Sequence, residues 1–154
     1  VCQNNHYAIS TCTSDYLKVS DLSQRAQAYG MPGHSIDGND LMAVAEVVGD
    51  AIEKARSGGG PCFINAVTNR FLGHGLYEDG KIYREEKDVE EIKKNDPIIR
   101  CYDYLSENKI INEKEDKEID LNIHKELDAA VEFALNSPEP DLEELFRDVY
   151  AEEI

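Results

Sequence analysis

Apolar positions change their period along this chain, and the change divides it. Val1 to Ile9 reads as the end of a strand running into a loop. Ser20 or Asp21 then supplies a cap for a helix with Leu22, Ala26 and Tyr29 on one face, closed by Gly30 and barred from continuing by Pro32. Gly33 to Asp37 makes a short strand. Asp37-Gly38-Asn39 is turn chemistry that delivers Asp40 as the next N-cap. Leu41, Val44, Val48, Ile52 and Ala55 follow at spacings of three and four, an apolar stripe on a helix that stops in Ser57 to Gly60. Cys62, Phe63, Ile64, Ala66 and Val67 form a nearly unbroken apolar run, as expected for a strand covered on both faces.

Strands alternating with helices imply α/β architecture with a parallel sheet covered by helices. Beyond Arg84 the period is helical throughout, which predicts an α/β domain over residues 1–84 and a carboxy-terminal helical segment over 85–154. In that segment Asp96-Pro97 is a cap followed by a first-turn proline, with Ile98, Ile99, Tyr102 and Leu105 on one side. Asn112 with Glu115 three residues later resembles a capping box opening a long helix striped by Ile119, Ile123, Leu127, Val131 and Ala134. Ser137-Pro138 ends it. Asp141 is placed to cap a last short helix carrying Leu142, Leu145, Phe146 and Val149.

Charge sharpens the same division. The 154 residues carry a formal charge of −16, with 7 basic and 9 acidic residues up to Arg84 and 9 basic and 23 acidic after it. That balance argues against a nucleic-acid partner, whose phosphates are bound through Lys and Arg. The acidic tail reads either as a solvated helical face or as a docking surface for a basic partner. Cys2, Cys12, Cys62 and Cys101 show no CxxC spacing, and the strand context of Cys2 and Cys62 predicts small buried hydrophobes in a reduced, cytoplasmic setting. No apolar stretch approaches the length of about 18 residues that a membrane span needs, so no membrane partner is expected. The chain does not begin with Met, and Val1-Cys2 reads as the end of a strand that starts earlier.

Two loops carry chemistry. Asn4-Asn5-His6-Tyr7 lies where a strand ends, the edge at which parallel α/β sheets bind ligands. Neutral oxygens from an Asn side chain or a backbone carbonyl suit a hard cation such as Mg²⁺ bridging to phosphate, while paired asparagines also simply form turns. Arg70-Phe71-Leu72-Gly73-His74-Gly75 follows the apolar strand and so opens on the same edge. Arg offers charge-assisted hydrogen bonds to phosphate, His acts as acid, base or electrostatic stabiliser, and the glycines allow close approach. Leu76 to Arg84 has no period and reads as a loop of the kind that orders on binding, or as a plain surface connection. His34 and His124 read as structural.

Across these segments the sequence resembles one family, the alpha subunits of thiamine-diphosphate-dependent 2-oxo acid or acetoin dehydrogenases, the pyruvate dehydrogenase first-component alpha family. Cys2-Gln3-Asn4-Asn5-His6-Tyr7-Ala8-Ile9-Ser10 is similar to the family's C-E-N-N-x-Y-A-I-S. Tyr29 to Gly33, Asp37 to Asp40, Gly60-Pro61, Arg70 with His74, Tyr83-Arg84, Asp96-Pro97 and Ser137 to Pro140 match in order. The resemblance implies a thiamine-diphosphate-binding fold, incomplete at the amino terminus. It implies that the Asn5 side chain and the Tyr7 carbonyl ligate the Mg²⁺ that anchors the diphosphate, and that Arg70 and His74 lie in a loop over the cofactor. His74 would be the catalytic residue, stabilising charge or relaying protons in acyl transfer, with Tyr83 and Arg84 at the far end of that loop.

The implied partners are a dehydrogenase beta subunit, which supplies the activating glutamate, and a lipoyl-bearing dihydrolipoyl acyltransferase, within a heterotetrameric first component of a multienzyme complex. Pyruvate, a branched-chain 2-oxo acid or acetoin is the implied substrate. The family's Gly-Asp-Gly metal motif is expected ahead of Val1, so residues 1–154 alone are expected to be inactive and marginally stable. Gly75 stands where relatives carry a phosphorylated serine, so that switch is not expected here. Two other readings remain open: an acidic, non-catalytic α/β interaction module, and a thiamine-diphosphate enzyme of different carbonyl chemistry.

Overall fold

The computed structural model describes residues 1–76, 78, 80–149 and 151. The chain separates into two compact units, Val1–Ile110 and Ile111–Ile154. Charge and periodicity change after Arg84, whereas compactness changes after Ile110, because the two helices between them belong spatially to the first unit.

Unit one is built on a parallel sheet of β1 (Cys2–Asn4), β5 (Phe63–Val67) and β4 (Gly33–Asp37), in the order β1-β5-β4. Asn4, Val67 and Asp37 are partners on one row, so all three strands end at the same edge. The α/β class and its parallel sheet are as the alternation implies. Central β5 holds the core: Ile64, Asn65 and Ala66 are buried, while Phe63 and Val67 are half-buried.

Local rules set most element ends. The Asp40 carboxylate accepts the Met42 and Ala43 N–H groups at 3.0 and 3.1 Å and starts α2 (Leu41–Arg56). Asp96 accepts Ile98 N–H at 2.8 Å and Pro97 occupies the first turn of α4 (Pro97–Glu107). Ahead of it, α3 (Glu86–Lys94) half-buries Val89 and Ile92.

Several expectations are corrected. The segment Leu22–Tyr29 is a 3₁₀ helix rather than an α-helix; three residues per turn stack Ser23 on Ala26, and both are buried while Tyr29 is exposed. Gly33 permits this close fit, since a Cβ there would collide with the Ser23 carbonyl. The inward stripe of α2 runs through Ala43, Val44, Val47, Val48 and Ala51, leaving Leu41, Ile52 and Ala55 outward. On α4, Cys101, Tyr102 and Leu105 are half-buried and Ile98 and Ile99 exposed. Cys2 and Cys62 are half-buried rather than buried, and all four cysteines are free. A small antiparallel hairpin, β2 (Tyr7–Ala8) with β3 (Thr11–Cys12), leads into α1 (Thr13–Tyr16); the strand-end reading of residues 1–9 did not foresee it.

In unit two, α5 (Glu113–Asn136) opens on the expected capping box: Asn112 Oδ1 accepts Glu115 N–H at 3.2 Å, and Glu115 Oε2 accepts Asn112 N–H at 2.9 Å. Residues Leu142–Phe146 form a 3₁₀ turn whose first residue follows Asp141, but the Asp141 side chain makes no capping hydrogen bond, and Val149 lies beyond it. No described helix is long and apolar enough to cross a membrane.

Candidate functional site

The end of β1 is a turn set by its own side chains. Asn4 Oδ1 accepts His6 N–H and Asn5 Oδ1 accepts Tyr7 N–H, each at 3.2 Å. His6 and Ile9 sit in the left-handed region at φ 68° and 57°. For Ile, β-branched and without glycine's freedom, that conformation carries strain that its surroundings must over-determine. Two hydrogen bonds do so here: Thr13 N–H donates to the His6 carbonyl at 2.9 Å, and Arg70 Nη2 donates to the Ile9 carbonyl at 2.5 Å.

Arg70 follows β5 and reaches back across the sheet edge to this turn. Its guanidinium lies 5.7 Å from the Tyr7 ring centroid, and Nη2 is 3.4 Å from the Tyr83 hydroxyl. Tyr7 and Tyr83 meet with centroids 5.2 Å apart. The two sequence loops therefore converge as Tyr7, Arg70 and Tyr83, with Asn5 on the adjoining turn.

Sequence reasoning placed Arg84 only at the far end of this loop, yet among the described residues it is the most buried charged group here, at 7% exposure. Its Nη1 donates to the Arg70 carbonyl at 2.5 Å, its Nη2 to the Leu72 carbonyl at 2.9 Å, and its Nε to the Gly80 carbonyl at 3.5 Å. One guanidinium thus ties both ends of the loop that carries His74. The only hint in the sequence was a Tyr-Arg pair at the loop's end.

His74 is exposed. Its backbone N–H donates to Glu78 Oε2 at 2.6 Å. It borders a cleft of about 680 Å³ between this loop and α3, lined also by Phe71, Leu72, Lys81 and Val89. No hydrogen bond among the described residues links His74 to Asn5, Tyr7 or Arg70. Tyr77 and Asp79, part of the loop read over Leu76 to Arg84, lie outside the described residues. His34 and His124 are both exposed: His34 lies on β4 and His124 on α5, away from these loops in sequence and element.

The donors at this edge suit an anchored diphosphate and its metal. Asn5 Oδ1 uses one of its two lone pairs on Tyr7 N–H, which fixes its direction and leaves the other for a cation. Neutral oxygens of this kind suit Mg²⁺. The buried Nε of Arg70 has no acceptor among the described residues, a donor available to an anion. Among the described residues no trio of His, Cys, Asp or Glu gathers as a metal cage, so a cation here would draw on neutral oxygens and on the phosphate itself. The residues present fit the group.

A parallel α/β sheet with two polar loops at its carboxyl edge defines a class of ligand-binding protein whose site lies where the strands end. Comparison with known proteins specifies it further. The chain belongs to the dehydrogenase E1 component family, whose profile matches residues 1–143. It is 35% identical over 152 residues to a protein named pyruvate dehydrogenase E1 component subunit alpha from Porphyra purpurea, covering 99% of this chain and 44% of that protein. It is 34% identical to the protein of that name from Rhizobium meliloti (strain 1021), covering 97% and 43%. It is 36% identical to the testis-specific mitochondrial form from Homo sapiens, covering 98% and 39%. The chain thus spans roughly two fifths of the length of these curated relatives.

Proposed function

We propose that this chain forms part of the alpha subunit of a thiamine-diphosphate-dependent 2-oxo acid dehydrogenase, and that pyruvate is its substrate. The observation that carries the reading is the convergence of the Asn5–Tyr7 turn and the Arg70 loop at one sheet edge, tied by the Arg70 bond to Ile9 at 2.5 Å. The names of the relatives support pyruvate over a branched-chain 2-oxo acid or acetoin. A beta subunit, together making a heterotetramer, and a lipoyl-bearing dihydrolipoyl acyltransferase complete the proposed assembly. Four free cysteines suit a reducing compartment, and a cytoplasmic one is proposed.

Thiamine diphosphate, when bound, would supply a carbon nucleophile and an electron sink for decarboxylation. The chain's own residues position and screen. The Asn5 side-chain oxygen and the Tyr7 carbonyl would hold Mg²⁺. The Arg70 Nε–H, without an acceptor among the described residues, would serve the diphosphate while Nη2 keeps the turn shaped. His74, at the mouth of the cleft, donates a proton or stabilises negative charge as the acyl group passes to the lipoyl arm. Apolar Phe71 and Leu72 beside it limit water at that mouth.

Calorimetric titration of thiamine diphosphate and Mg²⁺ into full-length alpha subunit co-expressed with its beta subunit tests this. Wild type should bind and Asn5→Ala should lose at least about tenfold in affinity, roughly 1.4 kcal/mol. Equal binding by both would overturn the metal assignment, and no binding by either would overturn the reading.

A further inference from the structure

Helix α3 walls the His74 cleft on the side opposite the loop that carries His74, through Val89 and Lys93 among others. Its nine residues fall short of the length, about 12, at which a helix begins to hold itself in water. Among the described residues its ion pairs stay local: Lys93 with Glu90 at 2.9 Å, Lys94 with Glu91 at 2.8 Å and Glu86 with Lys81 at 3.2 Å. Of its own side chains only Val89 and Ile92 are half-buried. The position of this wall is therefore set largely from the ends of the helix.

At its carboxyl end α3 runs into α4 through a joint of two residues. Asn95 N–H donates to the Ile92 carbonyl at 3.0 Å, Asp96 N–H donates to the Lys93 carbonyl at 3.3 Å, and the Asp96 side chain caps α4. One turn into α4, Arg100 spreads its guanidinium over two carboxylates. Nη1 meets Asp37 Oδ2 at 2.8 Å and Nη2 meets Asp40 Oδ2 at 3.1 Å. Each aspartate already commits Oδ1 to its own turn: Asp37 accepts Asn39 N–H at 2.9 Å, and Asp40 accepts Met42 and Ala43 N–H at 3.0 and 3.1 Å. Both free oxygens are thus aimed by local backbone, and a planar fork fits two fixed oxygens where the point charge of a lysine does not. Asp37 ends β4, so the fork joins the α3–α4 pair to the sheet edge.

We infer that Arg100 is a positioning residue for the proposed reaction: by clipping α4 to Asp37 and Asp40 it sets α3 as the outer wall of the His74 cleft, and so governs how a lipoyl-bearing acyl acceptor reaches His74. A small molecule enters a cleft of about 680 Å³ wherever its wall stands within a few tenths of an ångström. A lipoyl arm carried on a protein domain must fit both walls at once, because specific protein contacts depend on complementary shape. The effect of the clip therefore falls on the acceptor rather than on the 2-oxo acid. The inference rests on the proposed function for the identity of the acceptor, and on the observed bonds alone for the clip.

Hydrogen exchange and steady-state kinetics on assembled full-length alpha and beta subunits, with thiamine diphosphate and Mg²⁺, test this. In Arg100→Gln the amides of residues 86–94 should exchange at least about tenfold faster while those of β5 stay unchanged. The KM for the isolated lipoyl-bearing domain should rise at least about fivefold, and kcat for dye-linked pyruvate decarboxylation, which needs no lipoyl group, should stay within about twofold. Asp37→Asn with Asp40→Asn keeps both turn acceptors and removes only the charges facing Arg100. That pair should raise the same KM, and adding Arg100→Gln to it should change little more, as expected of groups that act as one contact. Unchanged exchange in α3, an unchanged KM, a parallel fall in dye-linked kcat, or full additivity of the variants overturns the inference. If wild type decarboxylates no 2-oxo acid with cofactor bound, the proposed function falls instead, and the exchange of α3 alone decides whether the clip stands.

Discussion

Arg84 donates to the backbone carbonyl of Arg70 at 2.5 Å, so the arginine that reaches the β1 turn is itself held by a second arginine. Three carbonyls share the Arg84 guanidinium, and a buried cation with three acceptors is stable only while all three stay in place. Arg84→Ala removes their donor and is expected to cost about 3 kcal/mol in stability. Arg84→Lys keeps the charge but loses the planar fork. Both variants should open the loop to limited proteolysis between residues 70 and 80 and lower kcat/KM. A Lys variant as protected as wild type would remove the positioning role.

Gly80 gives an independent check on that arrangement. A Cβ at this position would overlap Arg84 Nη2. Gly80→Ala should therefore reproduce the proteolytic sensitivity of Arg84→Lys while leaving every charge in place. Combining Gly80→Ala with Arg84→Lys should add less than the sum of the two, as expected for residues sharing one contact. Full additivity in a thermal-melt cycle would place Gly80 outside the Arg84 network.

What the sequence revealed follows from range. The Asp40 cap, the Asn112–Glu115 box and the stop at Gly30 depend on neighbours within a few residues, and each forms as its residues require. The ends of β4 were legible because turn chemistry bounded that strand on both sides. Arg84 was not legible, because its partners are carbonyls, which every residue possesses, and those of Arg70 and Leu72 lie 14 and 12 positions away. The orientation of α4 was equally hidden. Its inward face is chosen partly by Arg100 reaching back to Asp37 and Asp40, at separations of 63 and 60. Apolar stripes gave the presence of α2, α4 and α5 but not which apolar residues would be covered, since coverage is decided by the neighbour rather than by the helix.

Arg100 also predicts a pH dependence. It bonds Asp37 at 2.8 Å and Asp40 at 3.1 Å, clamping α4 to the end of β4. Partial burial pushes the Asp37 carboxyl up, but the hydrogen bonds from Arg100 and Asn39 N–H, with the Arg100 charge, outweigh it and hold the carboxyl below its ordinary range. A lowered folded value means that this stabilisation is complete above the usual carboxylate range and is lost as pH falls through the lowered value. Asp37 is half exposed, so solvent screening limits the effect to under about 1 kcal/mol. The melting-temperature gap between wild type and Arg100→Gln should be widest near neutrality and close under acid. A gap independent of pH would show that Arg100 acts through packing of its stem alone.

His124 on α5 carries the opposite sign. Its Nδ1 lies 2.8 Å from the Asp120 carbonyl and 3.4 Å from the Asp120 carboxylate. The carbonyl contact first, then the charges of Asp120 and Asp128, raise the imidazole above its ordinary value, against slight desolvation. A raised folded value gives a contribution that is complete below the unfolded value and is lost as pH rises through the folded one. Titration of the His124 ring protons by NMR should show a midpoint above that of an unstructured histidine peptide, and Asp120→Asn should bring it down while leaving the carbonyl contact. If Asp120→Asn leaves the midpoint where it was, the carboxylate contributes nothing and the backbone contact carries the shift.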